Sequence, residues 1–197
     1  MAKVRGLIFC ALFIAIFAVL SLVQIPVGSV PITLETLVVQ VCAGLLGPWY
    51  GALTFVLLIV LDLIGLPLIG GHAGPSLMLG PTAGYIWGWP FCALFAGLAI
   101  ARVRPGSRGE IAKLIAILFV LGDLVCYIPG VLWLRHVVPS LHPWGSALAG
   151  GVWPFLPGDF VKSVLAAVIV ARVRRVYPTE RLLRGARYAA ESSAAES

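Results

Sequence analysis

Long apolar runs, separated by short clusters of Gly, Pro and charged residues, fill most of this chain. A helix of roughly 20 apolar residues spans the hydrocarbon core of a bilayer, and several runs approach that length. Residues 7–25 are interrupted only by Ser21 and Gln24 and predict a first span. Lys3 and Arg5 in front of it resemble the start of a secretory signal. The run is long for a signal core, however, and no A-x-A cleavage pattern follows, so it reads as a retained span. A polar connector containing Glu35 leads to a short apolar run, residues 36–50, which predicts a tilted or partly re-entrant second span. Gly47-Pro48-Trp49-Tyr50-Gly51 predicts a turn with an aromatic pair suited to a membrane interface. Residues 52–69 form a third span, broken near its end by Gly65 and Pro67, and the Gly-rich stretch 70–80 predicts a non-helical connector. Residues 81–101, opened by a proline at the helix start, 111–134 and 155–173 complete a set of six. Residues 1–176 thus read as a single six-helix membrane domain, and 177–197 as a tail too small and polar to pack.

Composition and charge sharpen this picture. Hydrophobic residues make up 60% of the chain and charged residues 11%, against roughly 25% charged in an ordinary soluble domain. A soluble enzyme could not keep such a surface solvated, and an independent nucleic-acid-binding module is excluded on the same ground. The 22 glycines and 14 prolines fit membrane helices, which carry more of both than soluble ones. The formal net charge of +6 is a topology signal, because the basic residues cluster. Lys3 and Arg5 lie at the start; Arg102, Arg104, Arg108 and Lys113 in mid-chain; Arg172, Arg174, Arg175, Arg181, Arg184 and Arg187 near the end. With both termini cytoplasmic, these loops hold all the Lys and Arg except Arg135 and Lys162, as the positive-inside rule requires. The expected fold class is an all-α integral membrane protein with six transmembrane helices and its N- and C-termini in the cytoplasm. Cys10, Cys42, Cys92 and Cys126 are far apart in apolar runs, and read as small buried hydrophobes rather than a zinc site or disulfides. There is no internal sequence repeat.

Candidate chemistry is sparse. The sequence contains no G-x-x-x-x-G-K-[ST] for ATP phosphates, no H-E-x-x-H and no nucleophile elbow; His72, His136 and His142 are not paired at metal spacing. Ala11 and Ala15 in the first span, and Gly80, Gly84 and Gly88 at the fourth, recur at four-residue spacing, which lets helix backbones approach closely. The glycine stripe reads as internal packing, whereas the alanine pair is open to either packing or docking. A charge at mid-bilayer costs about 2.5–3.5 kcal/mol, so ionisable residues inside spans should face protein or a wet cavity. Asp62 and Asp123 stand alone in their runs, each open to protonation, pairing or lining a cavity. Asp159 and Lys162 are three apart and share a helix face. Pro154 and Pro157-Gly158 mark the helix start, placing Asp159 in the first turn beside unpaired N–H groups. Such a pair is neutral when empty; when occupied, the carboxylate accepts ligand N–H bonds and the ammonium donates to an oxygen. The alternative is an interfacial ion pair that only anchors the helix. Residues 71–78, with Ser76, and Pro81-Thr82-Ala83-Gly84-Tyr85 offer backbone, hydroxyls and a ring able to enclose a small amphiphile.

These stretches resemble the BioY family of biotin-binding components (S components) of energy-coupling-factor vitamin transporters. The resemblance rests on Val30-Pro31-Ile32-Thr33-Leu34, Gly65-Leu66-Pro67 and Leu79-Gly80-Pro81-Thr82-Ala83-Gly84-Tyr85. It continues through Tyr127 with Gly130 and Trp133 to Pro154-Phe155-Leu156-Pro157-Gly158-Asp159 with Lys162, and covers roughly residues 5–175. It implies a six-helix protein of the bacterial cytoplasmic membrane, in contact with lipid, that binds biotin with high affinity near its outer face as the substrate-specificity subunit. Asp159 would take the ureido N–H and Lys162 an oxygen of the ureido group or tail. Thr82 and Tyr85 would shape the wall, Thr33 would sit in a lid formed by residues 31–34, and Ser76 would add a polar contact. Ala11 and Ala15 would dock a transmembrane coupling subunit that works with two ABC-type ATPases. Biotin would be the transported substrate, with no cofactor, no metal and no nucleic-acid partner. Glu35 stands where the family usually has Gln, and Asp62 where it usually has a small residue. A membrane-embedded enzyme acting on a lipid or isoprenoid is the alternative function, and needs a catalytic cluster among inner-loop residues that are almost all basic. A purely structural protein, indifferent to substitution at Asp159 and Lys162, is the third reading.

Overall fold

The computed structural model describes residues 2–26 and 29–184. Helix α1 (Ala2–Leu20) leads into a two-residue antiparallel ribbon in which β1 (Gln24–Ile25) pairs with β2 (Ile32–Thr33). Helix α2 (Glu35–Leu63) is broken at Gly47, whose φ of 74° no L side chain adopts easily, and Pro48 follows. The break yields two arms, residues 35–46 and 48–63. A loop and the single-turn helix α3 (Pro75–Met78) precede α4 (Ala83–Ile100). Helix α5 (Glu110–Ile117), a π-helical stretch (Leu118–Leu124) and α6 (Val125–Val137) form one continuous rod. A 3-10 turn (Pro139–Leu141), α7 (Trp144–Gly151), α8 (Leu156–Val176) and α9 (Thr179–Arg184) complete the described chain.

Each of the six predicted runs contains a helical rod or one arm of α2, with four corrections. The stretch 70–80, expected to be non-helical, holds the single turn α3, opened by Pro75 at its first position. The first run was expected to stay helical to residue 25, yet α1 stops at Leu20. The Ser21 hydroxyl lies 2.9 Å from the Ala18 carbonyl and 3.1 Å from the Leu68 carbonyl, and accepts the Gly70 N–H at 3.0 Å. That tether turns the backbone toward the ribbon. The predicted five-residue turn at 47–51 contracts to one glycine, so the second and third runs are the arms of a single broken helix. Lastly, part of the tail packs: α9 lies against α1 and α2, with Leu182 and Leu183 on the core. Residues 185–197 lie outside the described residues. By length and composition three helices can cross a bilayer, Glu35–Leu63, Ala83–Ile100 and Glu110–Val137; a fourth is possible if α7 and α8, bent by 42°, act as one. The apolar part of α1, Val4–Leu20, is shorter.

Helix α4 sits at the centre, packed on α2 and α6. The glycine stripe explains how it fits. A Cβ at Gly84 would run into the Pro129 carbonyl, and one at Gly88 would lie 3.2 Å from the Cys126 backbone, so internal packing takes up that face. Phe17, Phe55 and Trp89 meet edge to face in the core, with centroids 5.0–6.4 Å apart. All four cysteines are buried and free. On α1 the buried residues Cys10, Phe13, Ile14 and Phe17 share one stripe, while Leu7, Ile8, Ala11, Leu12, Ala15 and Ile16 point outward. An outer surface this rich in large apolar side chains suits lipid rather than water.

The two ends of the molecule differ. Near the end of α8, Arg175 pairs with buried Glu110 at 3.0 Å and Arg174 donates to the Val103 carbonyl at 3.2 Å, gathering the mid-chain and C-terminal basic clusters. Asp159 sits about 24 Å away along the same helix, at 1.5 Å per residue.

Candidate functional site

At the end away from the arginines, a cavity of about 270 Å³ lies under the ribbon, between the first arm of α2 and the starts of α4 and α8, with α6 behind. Its polar heart follows from helix register. The first arm of α2 and α8 run in step: Thr36 meets Asp159 and Lys162, Gln40 meets Ser163, and Gly44 packs on Val170. The rod containing α6 contributes Asp123 and Tyr127, one helical turn apart.

Asp159 falls in the first turn of α8, as the Pro-Gly break required, and its amide bonds back to the Phe155 carbonyl at 2.8 Å. Its Oδ1 receives Lys162 Nζ at 2.8 Å, and its Oδ2 receives the Tyr127 hydroxyl. Thr36 Oγ1 lies 3.5 Å from Oδ1 and takes a second Lys162 N–H at 3.3 Å. Both charges are nearly enclosed, with side-chain exposures of 10% for Lys162 and 6% for Asp159. Two enclosed ions lose several kcal/mol of hydration each, which only their mutual contact and extra hydrogen bonds offset. Tyr127 and Thr36 supply those bonds, and an ammonium with three donors retains one for a ligand.

Behind this pair lies a second, fully buried layer. Gln40 Nε2 donates to Asp123 Oδ2 and lies 3.0 Å from Ser163 Oγ, while the Ser163 hydroxyl donates to Asp123 at 2.9 Å. The π-helical stretch adds a residue to the turn here, and brings Gly122 so close that a Cβ would stand 3.0 Å from Gln40 Cγ. Asp123 Oδ1 and Gln40 Oε1 have no partner among the described residues. The remaining wall is largely apolar or aromatic: Ile86, Trp89, Phe155 and the rings of Tyr85 and Tyr127, which meet edge-on at 6.0 Å. Tyr85 spends its hydroxyl on the Gly151 carbonyl at 2.8 Å, locking α4 to α7 and leaving its ring for the cavity.

Of the residues singled out from sequence, Asp159, Lys162, Tyr85, Thr82 and Thr33 all line this cavity. Ser76 does not. It is exposed on α3, and the next residue, Leu77, faces the cavity in its place, because neighbours on a helix point about 100° apart. Ala11 and Ala15 lie on the outer side of α1, opposite the stripe that packs inward. Asp62 is wholly buried beneath the 64–74 loop, where its carbonyl takes the Gly74 N–H at 2.9 Å, and it is not among the lining residues. His72 reaches the rim and is exposed. Sequence reasoning passed over Thr36, Gln40, Ser163 and the role of Tyr127. Their signal was present: Thr36/Gln40, Asp123/Tyr127 and Asp159/Ser163 are polar pairs at i,i+4 in apolar helices, each marking one inward face. The described residues contain no group of three or more His, Cys, Asp or Glu able to hold a metal ion. The site therefore offers a charge-paired, donor-and-acceptor end and an apolar, aromatic barrel, a combination that suits binding of a small amphiphilic molecule.

Residues 1–179 match the model of the BioY family. The biotin transporter BioY of Rhodobacter capsulatus is 36% identical, over 92% of this chain and 99% of the relative. That of Lactococcus lactis is 33% identical, over 88% of this chain and 92% of the relative. Among solved structures, the S-component for biotin from an ECF-type ABC transporter superposes with a TM-score of 0.78 at 34% identity, covering 88% of this chain and 92% of that one.

The buried pair makes a prediction independent of any ligand. Lys162→Met, which strands the Asp159 carboxylate, should lower the unfolding free energy in detergent by about 3–5 kcal/mol. Adding Asp159→Leu should restore most of it, since a buried ion pair replaced by apolar residues of similar volume costs little. Denaturation of the single and double variants measures both. Equal losses in the two would show that the carboxylate is not confined as described.

Proposed function

The chain belongs to the BioY family, and from that premise we propose that it binds biotin and takes it up as the substrate-specific subunit of an energy-coupling-factor transporter. The observation that carries the proposal is the enclosed Asp159–Lys162 pair, with Tyr127 and Thr36, at the closed end of a largely apolar cavity. Biotin presents two ureido N–H donors and a ureido carbonyl on a compact bicycle, and a carboxylate on a flexible tail. The ring is the part that suits the closed end. Asp159 accepts a ureido N–H and the spare Lys162 N–H meets the ureido oxygen, so a neutral group joins a neutral pair. Sending the tail inward instead would add a negative charge beside Asp123 and Asp159, with one ammonium already engaged. The ring accordingly enters first and the tail lies toward the ribbon. The cavity's modest size favours a bicycle over a long-chain lipid.

The relatives are transporters, not enzymes, and nothing favours the lipid-processing reading. In the proposed arrangement six spans cross a bacterial cytoplasmic membrane with both termini inside. Support comes from the basic clusters, which gather at the end of α8 opposite the cavity and so leave the cavity facing outward. The ribbon carrying Pro31 and Thr33 would serve as the lid. Ala11 and Ala15, unused by internal packing, would dock the coupling subunit, and the two ATPases would supply the energy that a chain without a phosphate-binding loop cannot.

Equilibrium binding of labelled biotin to the purified chain tests the site. Asp159→Asn and Lys162→Ala should each weaken binding by ~10-fold or more, about 1.4 kcal/mol. Binding untouched by both would remove the assigned anchors, and no binding by a folded preparation would remove biotin. Leucine at both Ala11 and Ala15 should leave biotin binding intact, yet abolish uptake and co-purification with the coupling subunit. Unchanged uptake would refute the docking role.

A further inference from the structure

The cavity wall carries an unequal set of charges. Among the described lining residues Glu35, Asp123 and Asp159 are carboxylates, Lys162 is the one ammonium, and His72 is an exposed imidazole at the rim. Asp159 engages Lys162 at 2.8 Å, and Asp123, itself fully buried, accepts hydrogen bonds from Gln40 and Ser163. Glu35 differs in place and exposure. It opens α2 directly after the ribbon and is half-buried at the cavity mouth, beside Thr36, whose hydroxyl touches both members of the ion pair. Its Oε2 accepts the Thr33 hydroxyl at 2.8 Å, which holds the carboxylate against the ribbon.

A ligand with its ring at Asp159 runs its tail toward this mouth. With Glu35 ionised, a tail carboxylate arriving there meets its negative charge and finds no unpaired ammonium among the described lining residues. Like charges at a half-buried site repel more strongly than in open water, because less solvent screens them. An amide or ester tail carries no charge, and an amide also brings N–H groups that a carboxylate accepts. We infer that Glu35 is a specificity-determining residue, weighting this site toward biotin derivatives with an uncharged tail, amides above all, over the free acid. The inference rests on the biotin reading and on the ring-first orientation derived from it.

Dissociation constants for biotin, its primary amide and its methyl ester decide the matter, measured at mildly alkaline pH, where Glu35 is ionised, on the full chain in detergent for the wild type and Glu35→Gln. Glu35→Gln removes the charge and keeps the shape. It should tighten binding of the free acid relative to the amide and ester by about fivefold or more, a gain that shrinks as salt rises. A ratio unmoved by Glu35→Gln overturns the inference while leaving the biotin reading intact. Equal loss of all three ligands in that variant also overturns it, because Glu35 would then be anchoring the ring. A folded wild type that binds none of the three removes the biotin reading, and this inference with it.

Discussion

A carboxylate and an ammonium held 2.8 Å apart inside an apolar helical bundle constrain everything around them. Each ion alone would cost several kcal/mol to keep from water, and together they are tolerated only with further hydrogen bonds in fixed directions. Tyr127 from α6 and Thr36 from α2 provide those bonds, so three rods must hold one register for α8 to keep its charges. The second layer of Gln40, Asp123 and Ser163 repeats the demand one turn deeper. Polar satisfaction, rather than apolar packing, therefore sets how these helices align, since lipid offers helices little hydrophobic reason to associate.

The breaks in regular structure serve that alignment. Gly47 and Pro48 break α2 where it meets α4, and Gly97 has no room for a Cβ beside the Pro48 backbone, so the break itself seats on the central helix. The π-helical stretch swings Asp123 toward Gln40. The turn before α8 delivers Asp159 to a helix start, where free N–H groups and the dipole favour an anion. Ser21 ends α1 early and ties it to the 64–74 loop, leaving the ribbon free to roof the cavity.

Much of this was legible in the sequence, and the residues show where legibility stopped. Apolar runs flanked by Gly, Pro and Arg located the helical rods, although the second and third are arms of one helix broken at Gly47. The Asp159–Lys162 pair stood out because charge is so rare in this chain. The partners of Tyr127 and Thr36 did not: their i,i+4 pairing marks an inward face, but a hydroxyl in a helix can bond its own backbone, so the pairing does not say which distant group it meets. Ser76 was misplaced because composition cannot say which side of a single turn faces inward. The end of α1 was missed for a similar reason: Ser21 stops the helix through Leu68 and Gly70, almost fifty residues away. Helix α9 was hidden by the polarity of the segment after it, although Leu182 and Leu183 find the core.

If the enclosed pair reads the ureido ring of biotin, a crystal structure of the chain with biotin bound will show the ring on it. A ureido N–H is expected on Asp159 and the ureido oxygen on Lys162, at hydrogen-bond distance of about 2.7–3.2 Å, with the tail running out toward Thr33 and Glu35. A ligand whose carboxylate sits on Lys162 while its ring lies at the ribbon would contradict the orientation. A ligand that leaves both residues untouched would contradict the site.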